Sequence, residues 1–370
     1  MSASGYSLRR DYLLWTLLGV LLVLSALQPA RIRIYPSLVD WPTLGTLTGL
    51  LLLTAGIEES GFLQRLAARI LSHVHDERRL AFFLLAAALA SSALLTNDIA
   101  LFILVPLTLG LRRYAVLPVR RLVIFEALAV NAGSMLTPIG NPQNIFLWQS
   151  SGVHFHEFVV ALWPPFLIAG ICLFVFAFLA FRPNALHLER LEAEVALDRP
   201  MLAASAGLFV PFITLADLHQ VGYALLAVAL LFVAAFRGAV RRLDWPLLLV
   251  FTLMFVDLRL VGRLAWVREG IAGLELQRPG TLYLTGAFLS QAISNVPATI
   301  LLSQYSSDWR HLAWGVDVGG FGLVIGSLAN LIALRLGSQP GSFWAFHAWS
   351  LPFFLLCLGL TGLWLTAGGG

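Results

Sequence analysis

The sequence predicts an all-α polytopic membrane protein: an inverted repeat with about nine transmembrane helices, two re-entrant hairpins and two broken helices. Three observations lead there. Hydrophobic residues fill 59% of the 370 positions and charged residues 12%, against roughly 45–50% and 25% in soluble domains. Apolar runs of about 20 residues, the length that crosses the hydrocarbon core, recur through the whole chain. Three short polar motifs also occur twice, in the same order.

Taken in order, the spans fall at 12–29, 40–57, 120–148, 160–181, 200–216, 219–236, 244–262, 308–334 and 343–366. Arg9 and Arg10 imitate the start of a signal peptide, but no small-residue cleavage site follows, so 12–29 reads as the first span. The stretches 80–112 and 281–304 are apolar except for Thr96-Asn97-Asp98 and Ser294-Asn295-Val296. These read as hairpins that enter and leave on one side. Between Gly61 and Val74, the residues Phe62, Leu63, Leu66, Ile70 and Leu71 repeat at helical spacing, which predicts an amphipathic helix lying in the interface.

Every basic residue is an arginine, and together they lift the isoelectric point to about 9.4. They lie in short loops, without the interleaved aromatics of a nucleic-acid surface, so they set topology and no nucleic-acid partner is expected. With both hairpins non-crossing, seventeen arginines share the side of the N-terminus, six lie opposite and Arg259 falls within a span. A full crossing at 80–112 would carry Arg112, Arg113, Arg120 and Arg121 to the sparse side. The predicted orientation is an N-terminus in the cytoplasm and a C-terminus outside, in the plasma membrane (the inner membrane of a bacterium).

The repeat is visible in three pairs. Asp40-Trp41-Pro42 matches Asp244-Trp245-Pro246, 204 residues on; Asn97 matches Asn295, 198 on; and Gly133, Gly140 and Asn144 match Gly319, Gly326 and Asn330, 186 on. Residues 1–182 therefore form a first copy, 183–218 a cytoplasmic loop with a linking span, and 219–370 a second copy. Five crossings separate the two first spans, an odd number, so the copies run oppositely through the bilayer. Inverted repeats with helices broken at equivalent places are a transporter architecture, with the cargo held where the copies meet.

The breaks mark the expected site, because irregular backbone survives at membrane depth only where it is buried in protein or lines a cavity. Thr137-Pro138-Ile139-Gly140-Asn141-Pro142-Gln143-Asn144 has two prolines that remove donors and amides that can replace them. Gly319-Gly320 and Gly326-Ser327-Leu328-Ala329-Asn330 interrupt the second copy with glycines instead. Expected ligand contacts are Thr96, Asn97, Asp98, Thr137, Gly140, Asn141, Asn144, Ser294, Asn295, Gly326, Ser327 and Asn330. Helix N-termini at the two tips suit an anion. The oxygens of Thr96, Asn97, Gly140, Ser294 and Asn295 equally suit Na+. Asp98 has Val296 as its counterpart, and an ionisable group at that depth is a candidate coupling residue, with Glu126 second. Asp257 is expected to pair with Arg259, and Asp317 to sit at a span end.

The stretches Leu95-Thr96-Asn97-Asp98, Thr137 to Asn144 and Ser294-Asn295-Val296-Pro297 resemble those of the ion transporter superfamily, over nearly the whole chain. That group includes arsenite permeases, NhaD-type sodium/proton antiporters, citrate–metal transporters and divalent anion/sodium symporters. In the symporters each tip reads Ser-Asn-Thr. Here Thr96 and Ser294 keep the first position in type and Asn97 and Asn295 the second, while Asp98 and Val296 depart at the third. The resemblance implies alternating access, often in a homodimer.

The expected function is secondary active transport of a small anion or oxyanion, coupled to Na+ or H+. Sodium/proton antiport without organic cargo, and arsenite or antimonite efflux, are the alternatives. No cofactor is expected; the partners are the lipid bilayer and a small inorganic or organic ion. Cys172 and Cys357 lie in separate apolar segments, which suggests neither a disulfide nor a metal site. His154 and His156 alone are a weak metal signal. Nothing has the nucleophile–base pattern of an enzyme.

Overall fold

The computed structural model describes residues 12–63, 65, 76–111, 116–186, 196–337 and 340–368. Most of the expected interfacial helix after Gly61 lies outside the described residues. Within them the chain is helical from end to end, and the only β-type pairing is an isolated bridge between Asp76 and Ala185.

The first part of the chain runs α1 (Tyr12–Leu27), a 3₁₀ turn (Pro29–Ile34), α2 (Tyr35–Leu38), α3 (Trp41–Glu59), α4 (Glu77–Leu94), α5 (Asn97–Leu111), α6 (Val119–Ser134), α7 (Pro142–Ser151) and α8 (Phe155–Ala180). Next comes α9 (Arg199–Asp217). The remainder is α10 (Val221–Ala235), α11 (Arg237–Arg242), α12 (Trp245–Val261), α13 (Ala265–Ala272), α14 (Pro279–Ile293), α15 (Asn295–Leu302), α16 (Trp309–Gly319), a 3₁₀ turn (Val324–Gly326), α17 (Leu328–Gly337) and α18 (Ser342–Thr366).

The expected interruptions are physical breaks. The first expected hairpin appears as the helix–turn–helix α4–α5, described to Leu111, and the second as α14–α15. The run 120–148 splits into α6 and α7, and 308–334 into α16 and α17. Among the described residues, three helices are long and apolar enough to cross a membrane alone: α8, α9 and α18. The predicted span 12–29 ends at Leu27, where the chain turns through 119° into the segment ending at Leu38. Helices α3, α10 and α12 have 19, 15 and 17 residues. At 1.5 Å per residue they rise roughly 22–29 Å, slightly less than a hydrocarbon core of about 30 Å.

The repeated motifs have clear structural jobs. Asp40 caps α3 by accepting from the Thr43 N–H at 3.1 Å, and Asp244 caps α12 by accepting from the Leu247 N–H at 3.0 Å. Each is followed by tryptophan and then by a proline whose missing N–H costs nothing in the first turn. The matched glycines permit close approach. A Cβ on Gly133 would sit 2.1 Å from the Leu89 carbonyl oxygen, and one on Gly319 would sit 2.8 Å from that of Ala287. Each glycine lets a broken helix lie against the first arm of its own helix pair, α6 on α4 and α16 on α14. Small residues allow this close packing where lipid supplies no hydrophobic drive between helices.

The packing is reciprocal between the two parts of the chain. Helix α1 lies on α12 and α3 on α10, while α5 packs on α17 and α15 on α7. The centre is closed: α6 is buried along its length apart from Arg120 and Arg121, and every residue of α15 is buried. The periphery is the opposite. Leu22, Leu179, Tyr223, Trp344 and Leu363 are each about two-thirds exposed or more, and many other large apolar side chains share that exposure, more than the surface of a soluble protein carries.

Candidate functional site

The two helix–turn–helix tips meet the two breaks at one cavity, lined by Asn97, Asp98, Pro142, Gln143, Asn295 and Ser327 together with Leu247 and Phe251 of α12. Its open volume is about 10 Å³, room for about one water.

At the first tip the Asn97 N–H donates to the Gly140 carbonyl at 2.8 Å, which fastens the tip to the first break. Asn97 Oδ1 accepts from the Asp98 N–H at 2.9 Å, and Asn295 Oδ1 accepts from the Val296 N–H at the same distance. Both asparagines are buried. Each therefore uses its oxygen locally and keeps its Nδ2 donors for something else. Ser294 holds φ at +74°, a conformation that is strained for a residue with a side chain. Thr96 Oγ1 and Asp98 Oδ1 are buried without a partner.

The first break is held by Asn141 and Asn144. Asn141 Oδ1 caps α7 by accepting from the Asn144 N–H at 2.9 Å. Asn144 Nδ2 faces the carbonyls of Ser134, Met135 and Thr137 at 3.4–3.5 Å, acceptors left open where α6 ends. Thr137 donates to the Ala93 carbonyl at 2.6 Å. In the second break Asn330 Nδ2 donates to the Gly320 carbonyl at 2.8 Å, and its Oδ1 accepts from Asn131 Nδ2 at 2.9 Å. So Asn144, Asn330 and Thr137 satisfy interrupted backbone, while Asn97, Asp98, Asn295 and Ser327 line the cavity. Gly140 and Gly326 pack against backbone: an added Cβ would meet the Ser134 carbonyl oxygen at 2.2 Å and that of Gly319 at 2.7 Å.

Asp317 changes the picture most. Far from sitting at a solvated span end, it is 3% exposed, and its Oδ1 accepts from Asn141 Nδ2 at 3.1 Å and Gln143 Nε2 at 3.0 Å. Its Oδ2 has no partner. A carboxylate from the later part of the chain thus holds the first break in place. Glu126 is fully buried and accepts from the Thr108 hydroxyl, with Oε2 unpartnered. Thr108 lies eleven residues beyond the tip on α5, about 16 Å along the helix at 1.5 Å per residue, so Glu126 is well removed from the cavity.

The expected Asp257–Arg259 pair does not form. Residues two apart point to opposite sides of a helix: Arg259 reaches the Leu38 carbonyl at 2.8 Å and Asp40 at 3.2 Å, while both Asp257 oxygens are buried without partners. Gln291, unremarked in the sequence, donates to the Gly319 carbonyl at 2.5 Å and accepts from the Leu323 N–H at 2.6 Å. Cys172 and Cys357, far apart in the chain, lie against each other where α8 meets α18. The His154 ring is 3.2 Å from Asp217, and no cluster of three or more His, Cys, Asp or Glu residues suited to a metal occurs among the described residues.

Helices broken at facing positions, a polar cavity between them and an apolar exterior fit a membrane-integral transporter. The comparisons narrow the class. The citrate transporter family (CitMHS) matches residues 10–319, and the chain belongs to that family. It is 43% identical to the inner membrane protein YbiR of Escherichia coli (strain K12), over 94% of each chain. It is 34% identical to the uncharacterized transporter MJ0456 of Methanocaldococcus jannaschii, over 88% of this chain and 89% of the relative. A shorter match, 29% identity over 36% of this chain and 27% of the relative, is to the silicon efflux transporter LSI3 of Oryza sativa subsp. japonica.

Proposed function

We propose that this protein is a secondary active transporter of a small anion or oxyanion, working by alternating access and coupled to Na+ or H+. One observation carries the reading: Asn97 and Asn295, on facing tips, make the same local hydrogen bond and turn unspent amide donors to one cavity. Amide and helix N-terminal donors suit anionic oxygens. A cavity with room for one water is too small for citrate, so loading such a cargo requires the tips to move relative to the α3–α10 and α1–α12 pairs. That requirement is what alternating access supplies. The two copies are taken as inverted, with the first tip reached from the cytoplasm and the second from outside.

Coupling rests on the carboxylates. Asp98 Oδ1 and Thr96 Oγ1 are buried oxygens without partners at the first tip, the donor type a hard cation takes. Asp317 Oδ2 offers a second such oxygen beside Asn141 and Gln143. The names of the family and of one relative point to two kinds of cargo, citrate for the family and silicon for the rice transporter. The alternatives are sodium/proton antiport and arsenite or antimonite efflux.

Proteoliposomes separate these readings. Citrate, silicic acid and arsenite are each offered with and without inward Na+ and H+ gradients, and Na+-driven proton movement is followed with no solute added. Gradient-dependent flux of one solute, about 10–100-fold lower in Asn97→Ala, supports the proposal. Sodium/proton exchange with no solute flux replaces it with the antiport reading.

A further inference from the structure

A second, larger pocket lies away from the tips. Its volume is about 690 Å³, within the range of small-molecule sites. Four arginines line it, Arg31 from the 3₁₀ turn after α1, Arg259 and Arg263 at the end of α12, and Arg268 on α13, and no carboxylate does. Arg259 is already engaged by Asp40 and the Leu38 carbonyl. The other three have no salt bridge among the described residues, and Arg31 Nη1 is buried without any hydrogen-bond partner. A buried guanidinium donor left unpaired is costly, and the walls of a cleft concentrate the positive field into it.

The sequence pattern strengthens this. Six arginines fall on the face assigned to the exterior, where the positive-inside bias disfavours them, and three of the six, Arg31, Arg263 and Arg268, meet here. Topology does not explain that concentration. Gln304 and Tyr305, just past α15, complete the wall. Since α15 has 8 residues, the pocket lies about 12 Å along that helix from Asn295.

We infer that this pocket is an anion-binding site, separate from the tip cavity, for a ligand presenting two or more carboxylate or phosphate groups to Arg31, Arg263 and Arg268. Planar guanidinium forks bind such groups in bidentate fashion. A soluble polyanion and a phospholipid headgroup share that chemistry. The inference does not depend on the transport reading, because it concerns binding alone.

The test uses the full chain in nanodiscs of zwitterionic phosphatidylcholine, on an Asn97→Ala/Asn295→Ala background that removes the tip donors. Citrate binding is measured by calorimetry at low ionic strength, before and after adding Arg263→Gln/Arg268→Gln. Both arginines are exposed, so the variant keeps the core intact. In parallel, native mass spectrometry follows retention of phosphatidylglycerol by the same pair of proteins. A fall of about ten-fold or more in citrate affinity identifies a soluble anion. Loss of retained phosphatidylglycerol, with citrate indifferent, identifies a headgroup. If neither ligand binds, or both bind equally with and without the two arginines, the inference is overturned.

Discussion

In the first part of the chain the helix–turn–helix tip carries the carboxylate, Asp98, and the broken helix carries an amide, Asn131. In the second the tip carries Val296, and the position matching Asn131 at the same 186-residue spacing is Asp317. Each part of the chain therefore brings one carboxylate to the region of the tips and breaks, from a different element. Asn131 meets the second break at Asn330, and Asp317 meets the first break at Asn141 and Gln143, so the matched positions 131 and 317 each tie their broken helix to the opposite break, through partners that do not themselves match. The ties between tip helix and break show a similar exchange. Thr137 of the first break donates to the backbone of Ala93, whereas at the matching positions the side chain belongs to Gln291 and the backbone to Leu323. Architecture is kept while the polar group changes sides, and the carboxylates are no longer equivalent.

The largest effect that tests this comparison is at the shared feature. Asn97→Ala and Asn295→Ala should each lower flux by about 10–100-fold, since each loses donors to an anionic ligand at about 1.5–3 kcal/mol per bond. Unequal losses would break the symmetry. Next come the carboxylates. Asp98→Asn and Asp317→Asn should each lower the response of flux to the coupling gradient by about ten-fold, and Asn131→Asp added to Asp317→Asn should restore part of it. No recovery would mean that Asp317 acts only by holding the first break.

Smaller effects fall on stability. Gly133→Ala and Gly319→Ala should each destabilise by about 1–3 kcal/mol, read as a lower unfolding temperature in detergent. Gly133 should lose more, because its added Cβ meets a carbonyl oxygen at 2.1 Å, while the nearest obstacle at Gly319 is the Ser290 side chain at 2.6 Å. Thr137→Val and Gln291→Leu should cost about 0.5–1.5 kcal/mol. Gln291→Leu should cost more, since it strands the Leu323 N–H as well as the Gly319 carbonyl.

Much of this arrangement was legible in the chain. Polar tripeptides in apolar runs located both tips, and Pro138, Gly140, Pro142, Gly319 and Gly326 located both breaks, because few other functions explain such residues at membrane depth. Helix ends were legible to within a few residues. The roles were harder to read. Asn144 and Asn330 looked like ligand contacts but satisfy broken backbone, a choice that depends on which carbonyls the break leaves open. Asp317 was expected at a span end, and its partners, Asn141 and Gln143, lie more than 170 residues earlier in the chain. The pairing proposed for Asp257 and Arg259 fails on helical geometry alone. Cys172 and Cys357 meet only through the packing of α8 on α18, which no local pattern encodes.

The central claim is that both tips grip one ligand, and a double-mutant cycle tests it most directly. Proteoliposome flux of whichever of citrate, silicic acid or arsenite is transported is measured for wild type, Asn97→Ala, Asn295→Ala and the double variant. The account predicts that the double variant loses little more than either single one, as groups acting on the same ligand are non-additive. Independent losses that simply multiply, or a loss confined to one tip, would contradict it.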